Sequence, residues 1–272
     1  MKLRPLFILL AVLTLSATVR SAPGTLIPRP QEATRLDGQF VFTTGIPVVY
    51  ASGLEPLAEY IADYIPLQRL DDRTWTAGAA LRLSLDGTMD DESYRLTVTP
   101  QGVQVVGADY GGVFNGLQTL LQLLPPEVYT GQATLPLTVD ACRIEDAPRF
   151  HYRGMMLDVV RTWMDADRVK RHIDLLSHLK INKLHLLLSN DEGWRLEIKS
   201  HPELTEIGAW RGGDSPVMPV YGKWDEKYGG FYTQDEMRDL IRYAAVRNVE
   251  IIPELDLPGH SRNIASVHPE IR

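Results

Sequence analysis

The stretch ELDLPGHS, residues 254–261, sets Glu254, Asp256 and His260 close together, directly after the β-branched run of Val249, Ile251 and Ile252. Such a run reads as a buried strand. Carboxylates and an imidazole at its end can accept, donate or relay protons. Two other places repeat the arrangement: Asp158 closes the apolar run RGMMLDVV, and Asn190-Asp191-Glu192 follows INKLHLLLS. Polar groups gathered at the C-terminal ends of successive parallel strands are how barrel enzymes assemble their sites. The loop beyond the second run carries Trp194, His201, Trp210 and Trp224. Aromatic faces beside carboxylates suit a sugar, whose C–H face stacks on rings while its hydroxyls take hydrogen bonds. Each tryptophan serves equally well to pack its own loop. A metal hydrolase fits least, since no tight ligand spacing such as H-E-x-x-H is present.

The elements that must position these groups fall into two patterns. From Leu26 to about Arg143, short strands alternate with turns, and TPQG between SYRLTVT and GVQVVGA reads as a hairpin turn. Helical spacing marks EPLAEYIADYIP, stopped by Pro66, and GGVFNGLQTLLQLLP, where Val113, Leu117, Leu120, Leu121 and Leu124 share a face. Strands with helices over one face make an α+β domain, predicted here over 24–143. The glycines of GADYGG read as turn formers, because no phosphate-binding spacing accompanies them. Past EDAPRF the order becomes strand, helix, strand, helix, strand. Asp165 is positioned to cap the first helix, whose inward face is predicted as Val169, His172, Ile173, Leu176 and Leu179, with His172 a core histidine. Thr233 and Glu236 form a capping box ahead of Met237, Leu240, Ile241 and Ala244. That alternation predicts parallel strands over 149–272. The fold class is therefore α/β: a small α+β domain, then the first three βα units of a barrel.

The gross numbers set limits on partners. A chain of 272 residues with 44% hydrophobic residues can bury a sizeable core, and a net charge of −7 argues against nucleic acid. Residues 1–21 read as a cleavable leader: Lys2 and Arg4, then an apolar run from Leu6 to Leu15, then small residues. The run is short for a bilayer, so no stable membrane anchor is expected. The single cysteine, Cys142, cannot pair within the chain and reads as a small buried hydrophobe. Export without disulfides points to a bacterial periplasmic or secreted protein.

Longer stretches carry a resemblance. LIPRPQE, YRLTVTPQGVQVVGAD and GGVFNGLQTLLQLLP resemble the accessory domain of glycoside hydrolase family 20 β-N-acetylhexosaminidases. PRFHYRGMMLDVVR, INKLHLLLSNDEGWRLEIKSHPELTEIGAWRGG and YGGFYTQDEMRDLIRYAAVRNVEIIPELDLPGHS are similar to the start of that family's barrel. The resemblance implies removal of a terminal β-linked N-acetylglucosamine or N-acetylgalactosamine from an oligosaccharide, with retention and without metal or organic cofactor. The sugar's own acetamido oxygen acts as nucleophile, one carboxylate orients it, and a glutamic acid protonates the leaving oxygen. Carried over by position, Arg153 matches the arginine that grips the terminal sugar's hydroxyls; an ion pair with Asp158 or Glu254 is its structural alternative. His260 matches the histidine of the catalytic carboxyl network, against a plain surface-loop role. The substrate-binding set is Arg153, Asn190, Asp191, Glu254, His260 and Trp194, with His260 and Asp191 in supporting catalytic roles. Most members carry two aspartates where this chain has Asn190-Asp191, so Asp191 is the nearest acid available there.

The family's catalytic Asp-Glu pair follows a fourth barrel strand, and residues 149–272 provide three. The acid and the acetamido-orienting carboxylate are therefore expected beyond Arg272, which makes the chain the N-terminal part of a longer enzyme, inactive alone. Asp90-Asp91-Glu92, Asp225-Glu226 and Asp235-Glu236 are more simply structural. The competing class is a non-catalytic sugar-binding protein using half the pocket, against which an open parallel sheet edge speaks.

Overall fold

The structure, a computed structural model, describes residues 25–271. The expected leader lies outside the described residues. So does Arg272, past which the catalytic pair is expected. The first half is one seven-stranded sheet with two helices. Its elements are β1 (Glu32–Phe42), β2 (Pro47–Tyr50), α1 (Glu55–Tyr64), β3 (Gln68–Asp71), β4 (Leu81–Leu85), β5 (Tyr94–Thr99), β6 (Gly102–Gly107), α2 (Tyr110–Leu123) and β7 (Leu137–Asp146). The strand order is β1-β7-β5-β6-β4-β2-β3. In β5, Tyr94, Leu96 and Val98 are buried while Arg95, Thr97 and Thr99 are half-buried, the period of two that a one-sided sheet requires. The predicted hairpin closes with Thr99 opposite Gly102. Both helices share one core with that face. β7 runs on to Asp146, past the Arg143 predicted to end the domain.

The predicted apolar face of α2 is buried, yet so is nearly all the rest of that helix. It lies between the sheet and the second half of the molecule, and its polar side chains are paired. Gln118 donates to the Tyr60 hydroxyl (3.1 Å) and accepts from His178 (2.9 Å), and Gln122 donates to the Ile27 carbonyl (2.7 Å). Asp109 caps α2, accepting from the Gly112 amide at 2.8 Å. A Cβ on Gly112 would stand 2.2 Å from the Ser93 carbonyl oxygen, and one on Gly107 2.3 Å from the Val113 nitrogen. The glycines of GADYGG therefore let a helix start against a strand.

The second half contains β8 (Gly154–Asp158), α3 (Ala166–His178), β9 (Lys183–Leu187), the short β10 (Ser189–Asn190) and β11 (Gly193–Trp194), α4 (Glu203–Glu206), β12 (Trp210–Arg211), β13 (Tyr228–Gly229), α5 (Gln234–Val246), β14 (Glu250–Glu254) and α6 (Arg262–Val267). β8, β9 and β14 are parallel, with β9 central. Asp165 and the Thr233–Glu236 box cap α3 and α5 as predicted. The buried stripes are Val169, Ile173 and Leu176 on α3, and Met237, Leu240 and Ala244 on α5. His172 is not a core histidine: it is half-exposed, with Nδ1 at the Arg168 carbonyl (2.8 Å). Leu179 and Ile241 are likewise exposed, because each stripe narrows to the residues that reach the sheet. On the sheet's other face, Met156, His185 and Ile252 stand level in register and none is fully buried; Met156 is 44% exposed. Parallel sheets are ordinarily covered on both faces.

The halves meet around Glu92, and here the position expected of Arg153 is corrected. Arg153 immediately precedes β8, at the strand's N-terminal end, opposite the rim where Asp158 lies. Its Nη1 and Nη2 each donate to the Glu92 carboxylate at 2.9 Å, and it also donates to the Lys180 and Phe150 carbonyls. Asn248 and Asn182 complete the clamp on Glu92, at 2.7 and 3.2 Å. Burial alone would raise the Glu92 carboxyl; hydrogen bonds from Arg153 and Asn248 and the arginine's charge outweigh it and hold the group below the usual range. Beside this clamp Lys180 donates to the Tyr94 hydroxyl (2.8 Å) and to Asp146 (3.1 Å). These groups line a cavity of about 520 Å³ at the far end of the strands from the rim.

Candidate active site

The tips of the three strands are level: Asp158 and Glu254 both stand opposite Leu187. Everything polar that follows those tips therefore starts from one plane. The Asp158 carboxylate accepts from the Val160 and Arg161 amides at 2.9 Å and from Arg161 Nη1 at 2.6 Å. That bond raises the Arg161 pKa further above its ordinary value, against a smaller opposing effect of burial. Arg161 is thus a charged fork fixed at the rim. Sequence reasoning missed it, choosing the arginine before the strand over the one after it. The usable signal was chain direction, since only residues past a strand's C-terminus reach the rim.

The loop from β9 to α5 is anchored from below by Arg195, whose side chain is fully buried. Its guanidinium donates to the carbonyls of Val159, Val160, Ala209 and Gly230, tying three segments together. Burial, together with the charge of nearby Arg211, lowers its pKa to about 10, which still leaves it protonated at neutral pH. Glu192 is also buried, 1% exposed, and is held by Arg211 Nη1 at 2.9 Å and Arg262 Nη2 at 3.4 Å. Asp191-Glu192 is an acidic doublet on the rim, but both Glu192 carboxylate oxygens are engaged by arginines and its side chain is buried away from the open face.

Asp191 faces outward. Its Oδ2 meets His260 Nδ1 at 3.1 Å and its Oδ1 accepts the Arg262 amide at 3.1 Å. Burial opposes ionisation here, but the Arg262 amide and His260 prevail and lower its pKa. His260 is 60% exposed and open to a ligand. Glu254 lies 2.5 Å from His185 Nε2 on the neighbouring strand, half-exposed on the bare sheet face. Asn190, by contrast, is buried and donates to Asp256 at 3.0 Å, so it orients a carboxylate behind the rim. Trp194 also departs from its expected role. Only 5% exposed, it packs with Leu204 and Ile264 and donates from Nε1 to the Leu196 carbonyl, which leaves no ring face for a sugar. Trp224 is the exposed tryptophan of the loop. The structure thus gathers Asp191, Glu254 and His260 at the rim, sets Asn190 and Trp194 behind it, and places Arg153 at the other end. What the rim offers is a fixed cation, an imidazole–carboxylate pair and one further carboxylate, Glu254: groups that grip hydroxyls and relay a proton.

Two family models match the chain: glycosyl hydrolase family 20, domain 2, over residues 24–147, and glycosyl hydrolase family 20, catalytic domain, over residues 150–272. A β-hexosaminidase of Vibrio furnissii is 41% identical over 254 residues, covering 92% of this chain and 40% of that relative. A family 20 exo-β-N-acetylglucosaminidase of Vibrio harveyi, solved with N-acetylglucosamine, superposes with a TM-score of 0.83 at 36% identity, over 93% of this chain and 39% of that one. An N-acetyl-β-hexosaminidase of Streptomyces plicatus gives a TM-score of 0.81 at 35% identity, over 93% and 50%. The chain spans about two-fifths to one-half of the length of these proteins.

Proposed function

Because the chain belongs to glycosyl hydrolase family 20, we propose that it supplies the accessory domain and one wall of the active site of an exported β-N-acetylhexosaminidase. The observation that carries this reading is the convergence of Arg161, Asp191, Glu254 and His260 on one rim. Arg161 grips hydroxyls of the terminal sugar with the edge of its guanidinium not bound to Asp158. The acetamido carbonyl oxygen forms a bond to the anomeric carbon as the glycosidic bond breaks, and a glutamic acid protonates the departing oxygen. Water then opens the cyclic intermediate, and the configuration is retained. The glutamic acid and the acetamido-orienting aspartate lie beyond Arg272. Support for this comes from the relatives' greater length, the bare inner face of the three-stranded sheet, and the engagement of Glu192 by two arginines. The His260–Asp191 pair stabilises that acid network from the side. A sugar-binding protein without chemistry would leave the sheet face unexplained.

The test is hydrolysis of an aryl N-acetyl-β-glucosaminide by the full-length gene product and by residues 1–272 alone. Turnover with anomeric retention is expected of the first and none above background of the second. Turnover by the shorter protein, or equal use of a β-glucoside lacking the acetamido group, would overturn the assignment.

A further inference from the structure

We propose that His201, Glu203 and His268 form a binding site for a divalent transition-metal ion of the zinc type, away from the rim. Among the described residues this is the one group of three His, Cys, Asp or Glu whose ligand atoms could surround an ion, all lying within 4.8 Å of one another. Glu203 Oε1 stands 3.2 Å from His201 Nδ1 and 3.1 Å from His268 Nε2. A tetrahedral ion with bonds of about 2.0–2.1 Å separates neighbouring ligand atoms by about 3.3 Å. Two of the three edges are already close to that length, and the third is no longer than 4.8 Å. Solvent completes the coordination, since all three residues reach it.

The surroundings of His268 suit a metal ligand. His268 meets Glu203 through Nε2 and Glu270 through Nδ1, at 3.1 and 3.0 Å. Nε2 thus points at the shared ligand position, while Nδ1 faces the Glu270 carboxylate behind the ring. A carboxylate behind a histidine ligand is the usual orienting partner in zinc sites. Two imidazoles and one carboxylate suit zinc, nickel or copper better than calcium or magnesium.

The ion clips two segments that carry the rim. α4 begins at Glu203, and His268 caps the C-terminus of α6, which starts at Arg262, the residue that holds Asp191 and Glu192. Leu204 and Ile264 already pack with Trp194 between them. Metal at the outer ends pins α6 in place without touching the reacting groups.

The test is titration of the chelator-treated full-length protein with zinc ion by calorimetry, with cobalt(II) as an optical probe of low coordination number. One zinc ion per chain, binding in the micromolar range or tighter, is expected. His201→Gln or His268→Gln should abolish it, and Glu270→Gln should weaken it about 10–100-fold. Zinc should raise the melting temperature of the wild type and of neither histidine variant. His201 is exposed, so its variant folds whatever the role of His268. Absence of saturable uptake, or uptake unchanged in both histidine variants, would overturn the site and leave a histidine–carboxylate cluster.

Discussion

Arg153 and Arg161 flank the same strand, and their partners assign them opposite work. Arg153 holds Glu92 across the join of the two halves, both side chains about 15% exposed. Arg153→Ala should cost about 2–4 kcal/mol, because it strands a half-buried carboxylate; urea denaturation measures it. Arg161→Lys in the full-length enzyme should leave the melt nearly unchanged and lower kcat/KM by the equivalent of about 2–4 kcal/mol, since lysine keeps the charge but not the fork. Unchanged kinetics would remove Arg161 from the sugar site. Glu92 also gives a pH signature. Its folded pKa lies below the unfolded one, so the folded state binds its proton last as the solution is acidified. The clamp's contribution is complete above the unfolded value of about 4.3 and declines as pH falls through the folded one. Stability followed from pH 6 to below about 4 should fall more steeply in wild type than in Glu92→Gln.

Among the elements, α2 makes a tight demand on a single position. Gly112→Ala drives a methyl into the Ser93 carbonyl, and neither backbone can yield without moving β5 or the helix start. A loss of about 1–3 kcal/mol is expected by thermal melt. The period-two strands, the caps at Asp165 and Thr233 and the parallel second half were legible in the sequence because each is a local pattern. Burial of the polar side of α2 was not, because the partners of Gln118 and Gln122 come from distant segments. The same limit governed the candidate site. Asp191 and His260 could be brought together through strand direction, which local pattern supplies. Trp194 and Asn190 could not be told from exposed ligands, since what covers them, Leu204, Ile264 and Asp256, depends on how the loop folds back. Arg153 misled for a different reason: its carboxylate lies 61 residues earlier, in the other half.

Taken as a whole, the molecule is a one-sided sheet domain joined at its helix face to a three-stranded parallel sheet whose second face is bare. For an exported enzyme, N-terminal sequencing of mature material should give a start between Thr18 and Pro23; a start at Met1 would defeat the leader. The pairing of β1 with β7 carries a consequence for the order in which the chain acquires structure. Glu32 lies opposite Glu145, so the first sheet cannot close its edge until residues of β7 have left the ribosome. Glu92 waits longer still: Asn248, the last of its partners, is made 156 residues after it. Nascent chains arrested between those two points should therefore resist protease over the first domain while the half-built second sheet remains cleavable. Synthesis itself thus passes through a stage in which the small domain is a finished body and the catalytic half is not yet docked upon it.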